Sequence, residues 1–102
     1  MTPDTIPPDF LLAHHPATKR YELSMNGEIA SFAEYVDDGD VMIFHHTVTA
    51  SDFRGNGLAE QVVRFALDDV RQRHKRVVAS CWFVAEFIAD HSEYGDLVAE
   101  QG

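Results

Sequence analysis

Apolar and polar positions alternate through Tyr21-Glu22-Leu23-Ser24-Met25, the period of a half-buried strand. Asn26-Gly27 follows, the strongest short hairpin signal, since both residues tolerate positive φ. From Glu28 to Val36 the alternation resumes. Ile29, Ser31, Ala33 and Tyr35 are expected on one face, Ala30, Phe32, Glu34 and Val36 on the other. Asp37-Asp38-Gly39-Asp40 reads as a second turn. Val41 to Thr49, rich in β-branched and aromatic residues, reads as a third strand. These strands form an antiparallel meander.

Past Thr49 the period changes. The turn Asp52-Phe53-Arg54-Gly55-Asn56-Gly57-Leu58-Ala59 leads into a helix over Leu58 to Arg73. Its apolar stripe holds Leu58, Ala59, Val62, Val63, Phe65, Ala66 and Val70. Arg76 to Trp82 is mostly apolar, as a strand buried on both faces should be. Phe83 to Asp90 reads as a second helix, with Phe83, Phe87 and Ile88 inward, and the tail from His91 adds a helical turn. The order is β-β-β-α-β-α. A strand, helix and strand in succession make the Val41–Thr49 and Arg76–Trp82 strands parallel neighbours, so the sheet is mixed. The fold class is α+β or α/β, as one domain over residues 21–98. Residues 1–20, with Pro3, Pro7, Pro8 and Pro16, are expected to be an irregular arm. Phe10, Leu11 and Leu12 anchor it to the core or form one helical turn, and His14-His15 is read as solvated loop.

A chain of 102 residues fits one core. The formal net charge of −9 lacks the basic stripe that nucleic acid needs, and it disfavours an anionic membrane surface. It is compatible with a cationic acceptor, but plain solubility accounts for it more simply. Cys81 is the only cysteine, so neither an intrachain disulfide nor a cysteine-based zinc cluster forms. A reducing, cytoplasmic setting is expected. The first residues do not read as a signal peptide, and no apolar run reaches the ~18 residues of a membrane span.

Ligands of open α/β sheets bind outside the C-terminal ends of the parallel strands. Three stretches converge there: His46 to Thr49, Arg54 to Ala59, and Cys81 to Phe83. In the middle stretch a glycine-bearing turn opens a helix, so free N–H groups and the positive end of the dipole favour phosphate. The turn is not a P-loop, because no lysine follows in the required place, and it lacks the third glycine of a dinucleotide fingerprint. His45 and His46 are adjacent on a strand and point to opposite faces, so they do not share a metal; no metal is expected.

Arg54-x-x-Gly57-x-Ala59 resembles the [Q/R]-x-x-G-x-[G/A] pyrophosphate loop of the GNAT superfamily of acyl-CoA N-acetyltransferases. His46-Thr47-Val48-Thr49, Cys81-Trp82-Phe83-Val84 and His91-Ser92-Glu93-Tyr94-Gly95-Asp96-Leu97-Val98 extend the likeness. Together they are similar to the very small, single-domain members that end in H-x-E-Y-x-D-L. The resemblance implies acetyl-CoA as cosubstrate, held between two splayed parallel strands. Backbone groups of Thr47, Val48 and Thr49 would take the pantetheine arm, and Arg54, Gly55, Asn56, Gly57, Leu58 and Ala59 the pyrophosphate. It also implies that the helices and strands that build the acceptor site of larger members are absent.

His46 is chosen from that resemblance as the histidine facing the site, where it would receive the amine's proton. Cys81 is read as nucleophile, as acid for the departing thiolate, or as a core side chain. Trp82 and Phe83 wall the site or pack in the core, and Tyr94 is a proton donor or a buried anchor. The expected activity is acetyl transfer to a primary amine, either a small molecule or a basic peptide. The alternatives are an acyl-CoA-binding module without turnover and a nucleotide-phosphate binder.

Overall fold

The computed structural model describes residues 11–99. Strands β1 (Leu11–His15), β2 (Arg20–Met25), β3 (Glu28–Asp38), β4 (Val41–Thr49) and β5 (Arg76–Ala79) form one sheet in the order β1-β2-β3-β4-β5. Helix α1 (Leu58–Gln72) links β4 to β5, and helix α2 (Trp82–Asp90) follows β5. The first four strands are mutually antiparallel neighbours, while β4 and β5 are parallel. The mixed sheet with helices packed on it is the expected architecture. Asn26 and Gly27 turn the β2–β3 hairpin with φ of 54° and 81°, the positive pair that a two-residue loop of matching twist needs.

One strand was not expected. Leu11–His15 belongs to the sheet instead of an irregular arm, and His14 is not solvated. Its ring stacks on Tyr21 with centroids 4.1 Å apart, and its Nε2 lies 2.6 Å from the Tyr35 hydroxyl. Leu-Leu-Ala-His-His carries no alternation to announce a strand; pairing with β2 and the stack on Tyr21 create it. The expectation for Phe10 falls outside the described residues.

Two bulges decide which side chains face inward. Leu23 pairs with Ser31 but Ser24 pairs with Ile29, so Ala30 is an extra residue in β3. Ser31, Ala33 and Tyr35 face the core as alternation requires. The bulge buries Ala30 as well and turns Ile29 outward, against the expected faces. In β4, Tyr35 pairs with Phe44 and Glu34 with His46, leaving His45 as the extra residue. Met42 and Phe44 are buried ahead of it; beyond it Thr47 and Thr49 take the inner phase and His46 and Val48 the outer.

Helix α1 lies over the inner face. Val62, Val63, Ala66, Leu67 and Val70 pack with Tyr21, Leu23, Met42 and Phe44 in a single core. Full burial of such apolar side chains contributes about 1.5–3 kcal/mol each. Helix α2 buries Val84, Phe87 and Ile88; Phe83, expected inward, is only half-buried. The segment after α2 returns to α1. The Tyr94 hydroxyl donates to Asp68 at 2.7 Å, and Arg71 grips Asp96 at 2.9 Å. Finally the Ala99 N–H donates to the Val77 carbonyl, extending the sheet beyond β5 by one bridge.

Candidate active site

The parallel ladder between β4 and β5 ends at the pair Phe44 and Ala79. The Ser80 and Cys81 N–H groups both turn back to the Phe44 carbonyl, at 2.9 Å each, and the chain departs into α2. Strand β4 runs on to Thr49 with β3 on one side only. The backbone edge of β4 beyond Phe44 therefore borders a gap. The bulge at His45 and the short β5 together produce the splay.

A cavity of about 430 Å³ occupies this gap. Its floor is Thr47 and Thr49 of β4, one flank is the turn from Phe53 to Leu58, and the other is Cys81, Trp82 and Phe83. Each of the three stretches that the sequence brings to one sheet edge contributes to this lining, but Val48, on the outer phase of β4, and Asn56 do not.

At the turn, Gly57 caps α1 at φ 71° and Gly55 sits at φ 85°. Both are left-handed conformations that cost a side-chain-bearing residue about 1 kcal/mol or more. A Cβ at Gly57 would meet nothing within 4 Å, so the space over the helix start is open. The first N–H groups of α1, at Leu58, Ala59 and Glu60, have no partner within the helix. With the dipole they favour an anion there. Arg54 folds its Nε towards the Thr49 carbonyl at 3.3 Å and lines the same cavity. Asn56 donates to the Phe53 carbonyl at 3.2 Å, which shapes the turn from inside.

At the other end stands Cys81, the residue before α2. Its Sγ lies 3.5 Å from Thr47 Oγ1 across the gap. Burial pushes the thiol up, but the Thr47 hydroxyl, the N–H groups of Val84 and Phe83, and the Thr47 N–H favour the thiolate and outweigh it. The net is a thiol below its ordinary value, which raises the thiolate fraction. Ser31 supports this wall from behind: its hydroxyl donates to the Val48 carbonyl at 2.9 Å and meets Thr49 Oγ1 at 3.0 Å.

His46 is not brought to this cavity. It pairs with Glu34 and meets the Phe32 ring edge-on, centroids 6.3 Å apart, on the outer sheet face. Unbroken alternation from Phe44 would have pointed His46 inward, and the bulge at His45 reverses that. Among the described residues no group of metal-ligating side chains is assembled. Tyr94 is buried and held by Asp68 and by Arg64 Nη1 at 3.3 Å, as an anchor of the tail against α1. Phe53 and Glu60 also line the cavity, outside the residues to which the sequence points. An aromatic residue in an otherwise polar turn was the available signal for Phe53; Glu60 carried none.

Comparison with known proteins identifies the family and the fold. Residues 20–97 match the family described as GCN5-related N-acetyl-transferase. Protein NATD1 of Bos taurus is 25% identical over 81 residues, covering 76% of this chain and 71% of its own. The fold is similar to the solution structure of a GCN5-like protein from Staphylococcus aureus, with a TM-score of 0.71, 13% identity and 93% of each chain covered. It is also similar to the ribosomal-protein-alanine N-acetyltransferase of Brucella melitensis biovar Abortus 2308. There the TM-score is 0.57 at 17% identity, over 81% of this chain and 62% of that one.

Proposed function

The chain belongs to the GCN5-related N-acetyl-transferase family, and from that premise we propose that it transfers an acetyl group from acetyl-CoA to a primary amine. One observation carries the reading: a single cavity joins a glycine-capped helix start to the Cys81 thiol across the gap between β4 and β5. The helix start and Arg54 suit a pyrophosphate. The backbone of Thr47 to Thr49, which β5 does not pair, suits the amides of a pantetheine arm, and the thiol end suits the thioester.

In the reaction a bond forms between the acetyl carbon and the amine nitrogen, the carbon–sulfur bond breaks, and the proton lost by nitrogen goes to the departing thiolate. N–H groups along the gap are suited to polarise the thioester carbonyl. Cys81 serves in one of two roles. As a thiolate it takes the acetyl group first, and the amine then displaces it. As a thiol it hands its proton to the departing sulfur and recovers it from the amine.

A second reading is an acyl-CoA-binding module without turnover. It is favoured by the position of His46, which leaves Glu60 as the one carboxylate or imidazole base among the described residues lining the cavity. Incubation with acetyl-CoA and a panel of amines separates the two. Amine-dependent release of CoA supports the transferase. Binding that shifts the melting temperature without release selects the module. No shift at millimolar acetyl-CoA overturns both.

A further inference from the structure

The chain has one tryptophan, and it is the most exposed large apolar side chain among the described residues. Trp82 leaves 73% of its surface in water, against 59% for Leu11, the next. A single exposed apolar side chain is ordinary on a folded domain, and what sets Trp82 apart is its place. Trp82 does not stand on a random surface. It is the first residue of α2, bonded to Cys81, and it walls the cavity beside Phe83.

We propose that Trp82 is the docking residue for the acceptor, and that the acceptor is a primary amine carrying a second positive charge on a short apolar stem. The inference rests on the acetyltransfer reading above. The cavity has two ends, the glycine-capped turn suited to pyrophosphate and the thiol. Pyrophosphate separates the adenosine of acetyl-CoA from its thioester. An indole bonded next to Cys81 therefore stands at the thioester's end, where the attacking amine must arrive. An indole face attracts cations through its quadrupole and apolar stems through their surface. Charge agrees. Glu86 lies one helical turn beyond Trp82, on the same side of α2. Among the described residues it makes no ion pair. The one cation lining the cavity, Arg54, belongs to the turn at the opposite end. The reacting nitrogen must be unprotonated, so recognition falls to the second, distal charge.

The test uses 1,4-diaminobutane and n-butylamine, which share a stem and differ in the second charge. Trp82 is the sole tryptophan, so fluorescence excited at its long-wavelength edge reports its surroundings directly. With CoA present, 1,4-diaminobutane is expected to change that fluorescence and to protect it from acrylamide at concentrations where n-butylamine does neither. In CoA release, the KM for 1,4-diaminobutane is expected to rise about 2- to 5-fold in Trp82→Ala, the size of a cation–π contact at an exposed site. Trp82→Phe should recover part of that loss, and both variants should keep the acetyl-CoA melting shift. Equal fluorescence responses to the two amines overturn the inference, as does an unchanged KM in Trp82→Ala, while the acetyltransfer reading stands if amine-dependent release of CoA is present. Loss of the wild-type melting shift overturns both.

Discussion

The Sγ of Cys81 lies 3.5 Å from the hydroxyl of Thr47, the one side-chain hydrogen bond that spans the gap between β4 and β5 among the described residues. It ties the start of α2 to a strand that β5 has already left. It also favours the charged form of the thiol, so a single contact links the splay of the sheet to its chemistry.

Thr47→Val keeps the shape of the side chain and removes the hydroxyl. Burial of Cys81 would then be opposed only by backbone N–H groups. The thiol should titrate higher and react more slowly at neutral pH. The rate of alkylation by iodoacetamide against pH measures this. An unmoved profile would show that the hydroxyl does not influence the thiolate.

Cys81→Ala should abolish turnover or lower it by about 10²–10⁴-fold, the usual range for assistance by a positioned group. The acetyl-CoA melting shift should persist. If the thiol is the nucleophile, mass spectrometry of wild type after acetyl-CoA will show one added acetyl group that the variant lacks. Full activity in the variant would leave direct amine attack, with backbone donors carrying catalysis.

Gly57→Glu should remove acetyl-CoA binding. It forces a side chain into a left-handed backbone position and sets a negative charge at the helix start. A ligand at 100 times its dissociation constant stabilises by about 2.7 kcal/mol. Thermal melts should therefore show a wild-type shift that the variant lacks. Gly57→Ala should cost about 1 kcal/mol of stability from backbone strain alone.

His46→Ala separates the sequence expectation from the geometry. A base in the cavity would lower turnover by about 10²-fold or more. A ring on the outer sheet face should change stability by no more than about 0.5 kcal/mol and leave kcat unchanged. Initial rates of CoA release decide between them.

Stability should fall as pH drops below neutral, because of His14. Burial lowers its pKa below the ordinary 6.5; Asp69 opposes this, and Arg73 and His15 reinforce it. Arg73 Nη2 lies 3.2 Å and Asp69 Oδ2 3.5 Å from His14 Nδ1, and the Tyr35 hydroxyl meets Nε2 at 2.6 Å. The unfolded chain takes up a proton at His14 more readily. Unfolding is therefore favoured as pH falls from about 6.5 through the lower folded value, and the effect is absent above 6.5. Urea melts from pH 5 to 8 should show this slope in wild type and a flatter one in His14→Gln. In the same cluster Tyr21→Phe should cost about 1.5–3 kcal/mol, the range for a hydrogen bond to a charged group, because Tyr21 donates to Asp69 at 2.6 Å.

Much of this protein is written in local pattern. Alternation marks β2, β3 and β4, Asn26-Gly27 sets their hairpin, and the apolar stripe marks α1, because these signals depend on residues a few positions apart. The strand–turn–helix around Gly57 and the motif Arg54 to Ala59 follow for the same reason, as does the arrival of Cys81 at the same sheet edge. What needed the tertiary structure depends on distant partners. Strand β1 exists because β2 offers an edge and Tyr21 a ring for His14 to cover. The bulge at His45 arises from pairing with β3, and alternation alone cannot register one extra residue. That residue inverts every side chain after it, so Thr47 meets Cys81 across the gap while His46 turns to Phe32. The exposure of Trp82 was settled in the same way, by where β5 ends and α2 leaves the sheet.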